Sequence, residues 1–159
     1  GDGSSSSGLM TTEGLDQIGT QVSYSTDSYG ASLSLAKVDV TTDDERKYYG
    51  LNGYFTPSEV GAVPSISVGY EIGDAQGLPQ TDQWFVGLQW DEAGPGTFGV
   101  AFGTDGAFAE DATEYMIYEA FYSYPVNDGM TITPLIYVRE NDATKPDQTG
   151  ILVKTSFSF

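Results

Sequence analysis

Four ionisable residues, Glu71, Glu119, Arg139 and Lys154, interrupt rows that are otherwise largely built of Gly, Ser, Gln and Ala. Carboxylates and cations facing one another across a water-filled passage set up a transverse field that sorts solutes by charge and size, and that work needs neither cofactor nor reaction. A plainer role is open to each of the four as well: solvating a wall or pairing with a neighbour. Catalysis has little to draw on. The chain has no Cys and no His, which removes thiolate nucleophiles, Cys-bound zinc, the commonest general base and the commonest transition-metal ligand. Paired acids would need a pocket that shifts their pKa, and wet walls or mobile loops are poor places to build one. The Asp-rich segments offer hard oxygen ligands to Ca²⁺ or Mg²⁺, but none has the alternating acids, central Gly and final Glu of an EF-hand. No catalytic, metal-ligating or cofactor-binding residue is therefore assigned, and no enzyme activity is expected.

Rows of this kind exist only on strands, where side chains alternate between two faces. The clearest is GILVKTSFSF at the end of the chain: Ile151, Val153, Thr155, Phe157 and Phe159 share one parity, and Leu152, Lys154, Ser156 and Ser158 the other. Period two with Gly, Pro, Asn and Asp as punctuation predicts nine strands, over residues 16 to 25, 28 to 38, 46 to 56, 64 to 73, 81 to 90, 96 to 103, 112 to 124, 129 to 139 and 150 to 159, and no helix. A membrane-spanning strand needs about 9 to 11 residues, whereas soluble strands usually have about 5 or 6. One row suits lipid, as in Val22 and Tyr24, Leu33 and Leu35, Leu51 and Phe55, Val68 and Tyr70, Val86 and Leu88, Val100 and Phe102; its counterpart is small and polar, as in Gln21 and Ser23, Ser32 and Ser34, Ser65 and Ser67, Gln83 and Gln89. A soluble sheet shows the same alternation, so the pattern separates β from α and not barrel from sandwich.

Aromatic placement discriminates further. Tyr24, Tyr70, Trp84, Trp90, Tyr124, Phe157 and Phe159 fall near strand ends, as the interfacial girdles of a membrane barrel require. With the terminal Phe at the periplasmic end, TDS, PSEVGAVP, DEAGPG and PVNDG become periplasmic turns, and DVTTDDER, DAQGLPQTD, TDGAFAEDA and ENDATKPDQT become external loops that carry much of the acid. Acidic loops also serve plain solubility. Two local irregularities stand out: Tyr115, Ile117 and Phe121 fall on the inward parity beside Glu119, and Pro134 removes a ladder donor from an interior strand, which predicts a bulge there.

The 159 residues allow one domain, and six Lys plus Arg against 23 Asp plus Glu give a net charge of -17, so nucleic acid and anionic surfaces are poor partners and cations better ones. No apolar run approaches the roughly eighteen residues of a membrane helix. Residues 1–15 lack an initiator Met and a signal-peptide core and read as an external loop or disordered segment, with 16–159 the C-terminal part of an outer-membrane barrel. Nine is odd, whereas bacterial single-chain barrels have even strand numbers. An eight-strand barrel would also need bulky side chains to fill it, which an inward row of Gly, Ser, Gln and Ala does not supply. The expected architecture is therefore an all-β, antiparallel up-and-down transmembrane β-barrel, of which this chain supplies about nine strands of a sixteen-strand porin cut at an external loop.

With the strands laid out, YEAFYSYPVNDGMTITPLIYVRENDATKPDQTGILVKTSFSF resembles the end of cyanobacterial outer-membrane porins related to the carbohydrate-selective OprB family. VPSISVGYEIGD, TDQWFVGLQWDEAG and GTFGVAFGT resemble the preceding strands, so the likeness covers nearly all of residues 46 to 159. It implies an often trimeric barrel in the outer membrane that passes small hydrophilic solutes, sugars or inorganic ions including iron; separately from that likeness, the terminal Phe closing the last strand is the kind of signal read by the barrel assembly machinery. The surface-layer-homology domain that usually precedes such barrels is not in this sequence, which suggests truncation. The rival expectation is a soluble β-sandwich carbohydrate-binding module with its apolar rows in a dry core; a small closed barrel with an anchoring role is a third.

Overall fold

Residues 17–41 and 44–158 are described by the structure, a computed structural model; residues 1–15, Asp43 of the acidic loop and the girdle position Phe159 lie outside them. Ten strands follow in order: β1 (Gln17–Ser25), β2 (Tyr29–Thr41), β3 (Asp44–Phe55), β4 (Ser65–Ala75), β5 (Thr81–Ala93), β6 (Gly96–Thr104), β7 (Phe108–Ala109), β8 (Met116–Asn127), β9 (Met130–Arg139) and β10 (Gln148–Phe157). All pairings are antiparallel, in the order β1-β2-β3-β4-β5-β6-β8-β9-β10, with the two-residue β7 pairing β5 alongside that path. The nine long strands fall where the alternating pattern predicts them. The sheet is open: β1 and β10 are its two edges, and they do not pair with each other.

Register carries the apolar row from strand to strand without a slip. Val22 lies opposite Leu33, Leu33 opposite Leu51, Leu51 opposite Tyr70 and Tyr70 opposite Trp84. Farther along, Leu88 faces Val100, Val100 faces Ala120, Ala120 faces Ile136 and Ile136 faces Ile151. A slip of one residue anywhere would turn a whole strand over, so this continuity makes the two faces distinct across the sheet.

There is one layer and no interior. Among the described residues no hydrophobic side chain is buried; Ile151 is 77% exposed and Val22 71%. The buried residues are five glycines: Gly30, Gly69, Gly96, Gly99 and Gly103. The dry centre of a β-sandwich, with two apolar faces pressed together, is thus absent from the described residues.

Three details depart from the expected segmentation. The segment DVTTDDER is mostly strand: β2 and β3 continue to pair Val38 with Arg46 and Asp39 with Glu45. Cross-strand charge accounts for this, since Lys37 reaches Glu45 at 2.7 Å and Lys47 reaches it at 2.9 Å. The segment TDGAFAEDA folds back on the sheet, with Phe108 opposite Asp82, Ala109 opposite Thr81, and the Glu110 amide donating to the Gln80 carbonyl at 3.1 Å. β7 takes up the end of β5 beyond the reach of β6, whose last pair with it is Gly103 opposite Phe85. The bulge expected at Pro134 is elsewhere. Register is the same on both sides of Pro134, with Phe121 opposite Leu135 and Tyr124 opposite Ile132, and the shift falls at Pro125–Asn127, before the β8–β9 turn.

Candidate functional site

The candidate site is the face opposite the apolar row, and its floor is set by glycine. Reading one rung of backbone pairs across the sheet gives Gly30, Tyr54, Ser67, Gly87, Ala101, Glu119, Tyr137 and Gly150. The next rung toward the β4–β5 turn gives Ser32, Asn52, Gly69, Phe85, Gly103, Ile117 and Arg139. Several aromatic rings on this face lean onto a glycine beside them. A Cβ on Gly30 would come within 2.4 Å of the Tyr54 ring, on Gly69 within 2.2 Å of Phe85, on Gly99 within 2.2 Å of Phe121, and on Gly150 within 2.3 Å of Tyr137. An aromatic ring covering a strand glycine restores the packing that the missing side chain forfeits. This also explains the inward parity of Phe121 and Ile117, which looked anomalous in the sequence: they lie opposite Gly99 and Gly103.

Tyr54 is held at both ends. Its ring covers Gly30, and its hydroxyl donates to the Thr26 carbonyl at 2.8 Å in the β1–β2 turn, where the Thr26 hydroxyl accepts the Tyr29 amide at 3.0 Å. Phe85 leans over Gly69 and remains 46% exposed. Beside it Gln83 donates to the Glu71 carboxylate at 2.9 Å, and these two with Asn52, Gly69 and Phe85 line a hollow of about 290 Å³. A second hollow of about 500 Å³ lies between Tyr54 and Phe121 over Ser67, Gly87 and Gln89, with Asp91 at its rim. Asp91 is fixed there by Gln89, whose amide donates to it at 2.9 Å.

The four ionisable residues singled out by pattern all carry the parity of this face, but they are not brought together. Glu71 is tied to Gln83 on β5, and Glu119 lies opposite Ala101 and Tyr137. Arg139 is ion-paired with Asp105 just past β6. Lys154 lies opposite Thr133 near the far end of β10. Parity also puts Arg46, opposite Ala75, on this face; the expected strand began there, and the longer β3 makes it part of the wall. What pattern reading passed over is the set of rings: Tyr54 and Phe85 share parity with Asn52 and Gln83, and alternation alone would have found them.

The opposite face carries the girdle positions. Tyr24, Trp90, Tyr124 and Phe157 lie toward the short-turn end, and Tyr70, paired with Trp84, toward the other. Trp84 packs edge-on against Phe102 at 6.0 Å between ring centres, and Trp90 stacks on Phe98 at 5.9 Å. The Trp90 indole donates to the Ala62 carbonyl at 3.0 Å, an apolar body with a bonded polar tip. Trp84 and Trp90 share a face six residues apart, about 20 Å along the strand.

Among the described residues no group of three or more Asp and Glu side chains is placed to hold one metal ion. No helix of the described residues is long and apolar enough to cross a membrane, which does not bear on crossing by strands. Comparison with known proteins returns no matching family model, no matching curated protein and no matching solved structure.

Proposed function

We propose that this chain is the C-terminal part of an outer-membrane porin of the OprB type, contributing about nine strands to a sixteen-strand barrel that passes small hydrophilic solutes, sugars or ions, by passive diffusion. The observation that carries the reading is a single-layer meander with an apolar row unbroken from β1 to β10 and, among the described residues, no buried hydrophobic side chain. A large contiguous apolar surface calls for a partner that is not water. Lipid fits better than a second protein layer, because the same row is bordered by Tyr and Trp at both ends of the strands.

The small polar face then lines water, and the open edges of β1 and β10 pair with further strands to close the wall. Outer-membrane lipid, the barrel assembly machinery acting on β10, and two further copies in a trimer are the partners this reading implies. Net charge of -17 favours cations at the mouth. The test is conductance, in planar bilayers under a salt gradient, of the full-length protein that contains this chain: steady channels with cation-selective reversal potentials are expected. Anion selectivity would reject the charge assignment, and a compact monomer that refolds in plain buffer without detergent would reject the porin.

A further inference from the structure

Among the described residues Lys154 is the cation left without a partner. The chain has six Lys plus Arg against 23 Asp plus Glu. Lys37 and Lys47 reach Glu45 at 2.7 and 2.9 Å, Lys145 reaches Asp142 at 3.7 Å, Arg139 is paired with Asp105, and Arg46 is engaged as well. Lys154 stands exposed on β10, at an open edge of the sheet. We infer that β10 is completed by an antiparallel strand of the same polypeptide, outside these 159 residues, that sets a carboxylate opposite Lys154 on the polar face. This rests on the channel reading and names the partner of its open edge.

The strands present here cannot fill that place. Nine antiparallel strands in one path leave β1 and β10 running in the same direction, so β1 of this chain, or of a like-oriented second copy, could meet β10 only in parallel. Charge excludes it again: the polar row of β1 is Gln17, Gly19, Gln21, Ser23 and Ser25, with no carboxylate. A second β10 is no better. Its polar row of Gln148, Gly150, Leu152, Lys154 and Ser156 has no acid either, and a lysine on an edge discourages pairing with strands that cannot neutralise it. Residues directly opposite in a sheet have Cβ atoms about 4.5–5.5 Å apart, within reach of an ion pair.

Register sharpens the partner. Two residues before Lys154 on the same face, Leu152 is 54% exposed and continues a rung that runs from Phe121 through Leu135 to the edge. An apolar side chain opposite Leu152 would extend that rung. Between these two positions Val153, 62% exposed, points to the apolar face and takes an apolar neighbour too. In an antiparallel partner the order reverses, so the closing strand reads acid, apolar, apolar, with the acid first.

The test is zero-length cross-linking by a water-soluble carbodiimide, which joins a lysine amine to an adjacent carboxyl as an amide, on the full-length protein that contains this chain, folded in liposomes. Labelled and unlabelled protein are mixed before folding, and the digest is read by mass spectrometry with the Lys37–Glu45 link as internal standard. Lys154 is expected to be linked, within one polypeptide, to an Asp or Glu that lies outside residues 1–159 and precedes two apolar residues. Lys154→Glu should lower the folded-to-unfolded ratio about fivefold, and changing the linked acid to Lys in that variant should restore it. A link from Lys154 to an acid of this chain or of another copy would overturn the inference, as would the Lys37–Glu45 link without one at Lys154. Steady channels from a protein lacking the Lys154 link would leave the porin standing and reject the pairing; the link in a protein that carries no current would uphold the pairing and reject the channel.

Discussion

The two faces of this sheet are built by opposite rules of size. On the apolar face like meets like: Leu33 opposite Leu51, Val68 opposite Val86, Leu88 opposite Val100, each pair adding a small cross-strand contribution while its outer surface stays open. On the other face large meets nothing: Tyr54 is seated on Gly30, Phe85 on Gly69, Phe121 on Gly99. The first rule specifies chemistry and tolerates changes of shape, because among the described residues no side chain of the chain packs over that face. The second specifies shape, because these rings occupy space that a side chain at the neighbouring position would need. A substitution should accordingly be costly on one face for its charge and on the other for its volume.

Charge should produce the largest contrast. Val86→Arg places a guanidinium between Trp84 and Trp90 on the apolar row, at a cost of about 2–4 kcal/mol if that row faces hydrocarbon. Gln89→Arg, on the same strand but the opposite face, should stay within about 0.5 kcal/mol. Urea titration of the protein folded into liposomes measures both, and equal losses would dissolve the distinction between the faces.

Volume comes next. A Cβ at Gly103 would meet the Trp84 carbonyl oxygen at 2.3 Å and the Phe85 Cα at 2.8 Å, both backbone atoms that cannot swing aside. Gly103→Ala should therefore cost about 1–3 kcal/mol in the same assay. At Gly69 the obstacle is the ring of Phe85, which can rotate away, so Gly69→Ala should cost less while unseating the ring. Gly61, with nothing within 4 Å, should accept Ala without loss.

The smallest effect belongs to neither face. In the β9–β10 loop the Thr144 hydroxyl and, at 2.9 Å, its amide donate to Asp142, and these bonds, the hydroxyl's foremost, hold the carboxyl below its ordinary value of 3.8. A depressed pKa in the folded state gives stability that is complete above the unfolded value and is lost as pH falls through the folded one. Loop order should therefore be insensitive to pH above 3.8 and decline only below it. Amide exchange at Thr144 reads this directly, and Asp142→Asn should remove the acid dependence with little change at neutral pH.

How much of this was legible beforehand follows from which interactions are local. Strand positions and face assignments came from period two, and every backbone pair from Val22 to Ile151 carries that parity onward. Ends were less legible: β2 and β3 run past the Asp-rich segment because Lys37, Glu45 and Lys47 pair across strands, and no local propensity records a cross-strand ion pair. β7 was missed for the same reason, since its partner Thr81 lies far from Ala109 in the chain. Pro134 suggested a bulge, yet the ladder keeps its register there and shifts beside Pro125, where the turn absorbs the extra residue. For the candidate site, Glu71, Glu119, Arg139 and Lys154 were readable as one parity, but their separation, and the capture of Arg139 by Asp105, were not.

The sequence by itself determined that this chain is made of strands with one oily and one polar row, because side-chain alternation is a property of each strand alone. Only the tertiary structure decided which glycine sits beside which ring, since that depends on the register between strands distant in the chain. The same register turned separate amphipathic ribbons into one continuous apolar wall with a set of seated rings on its other side.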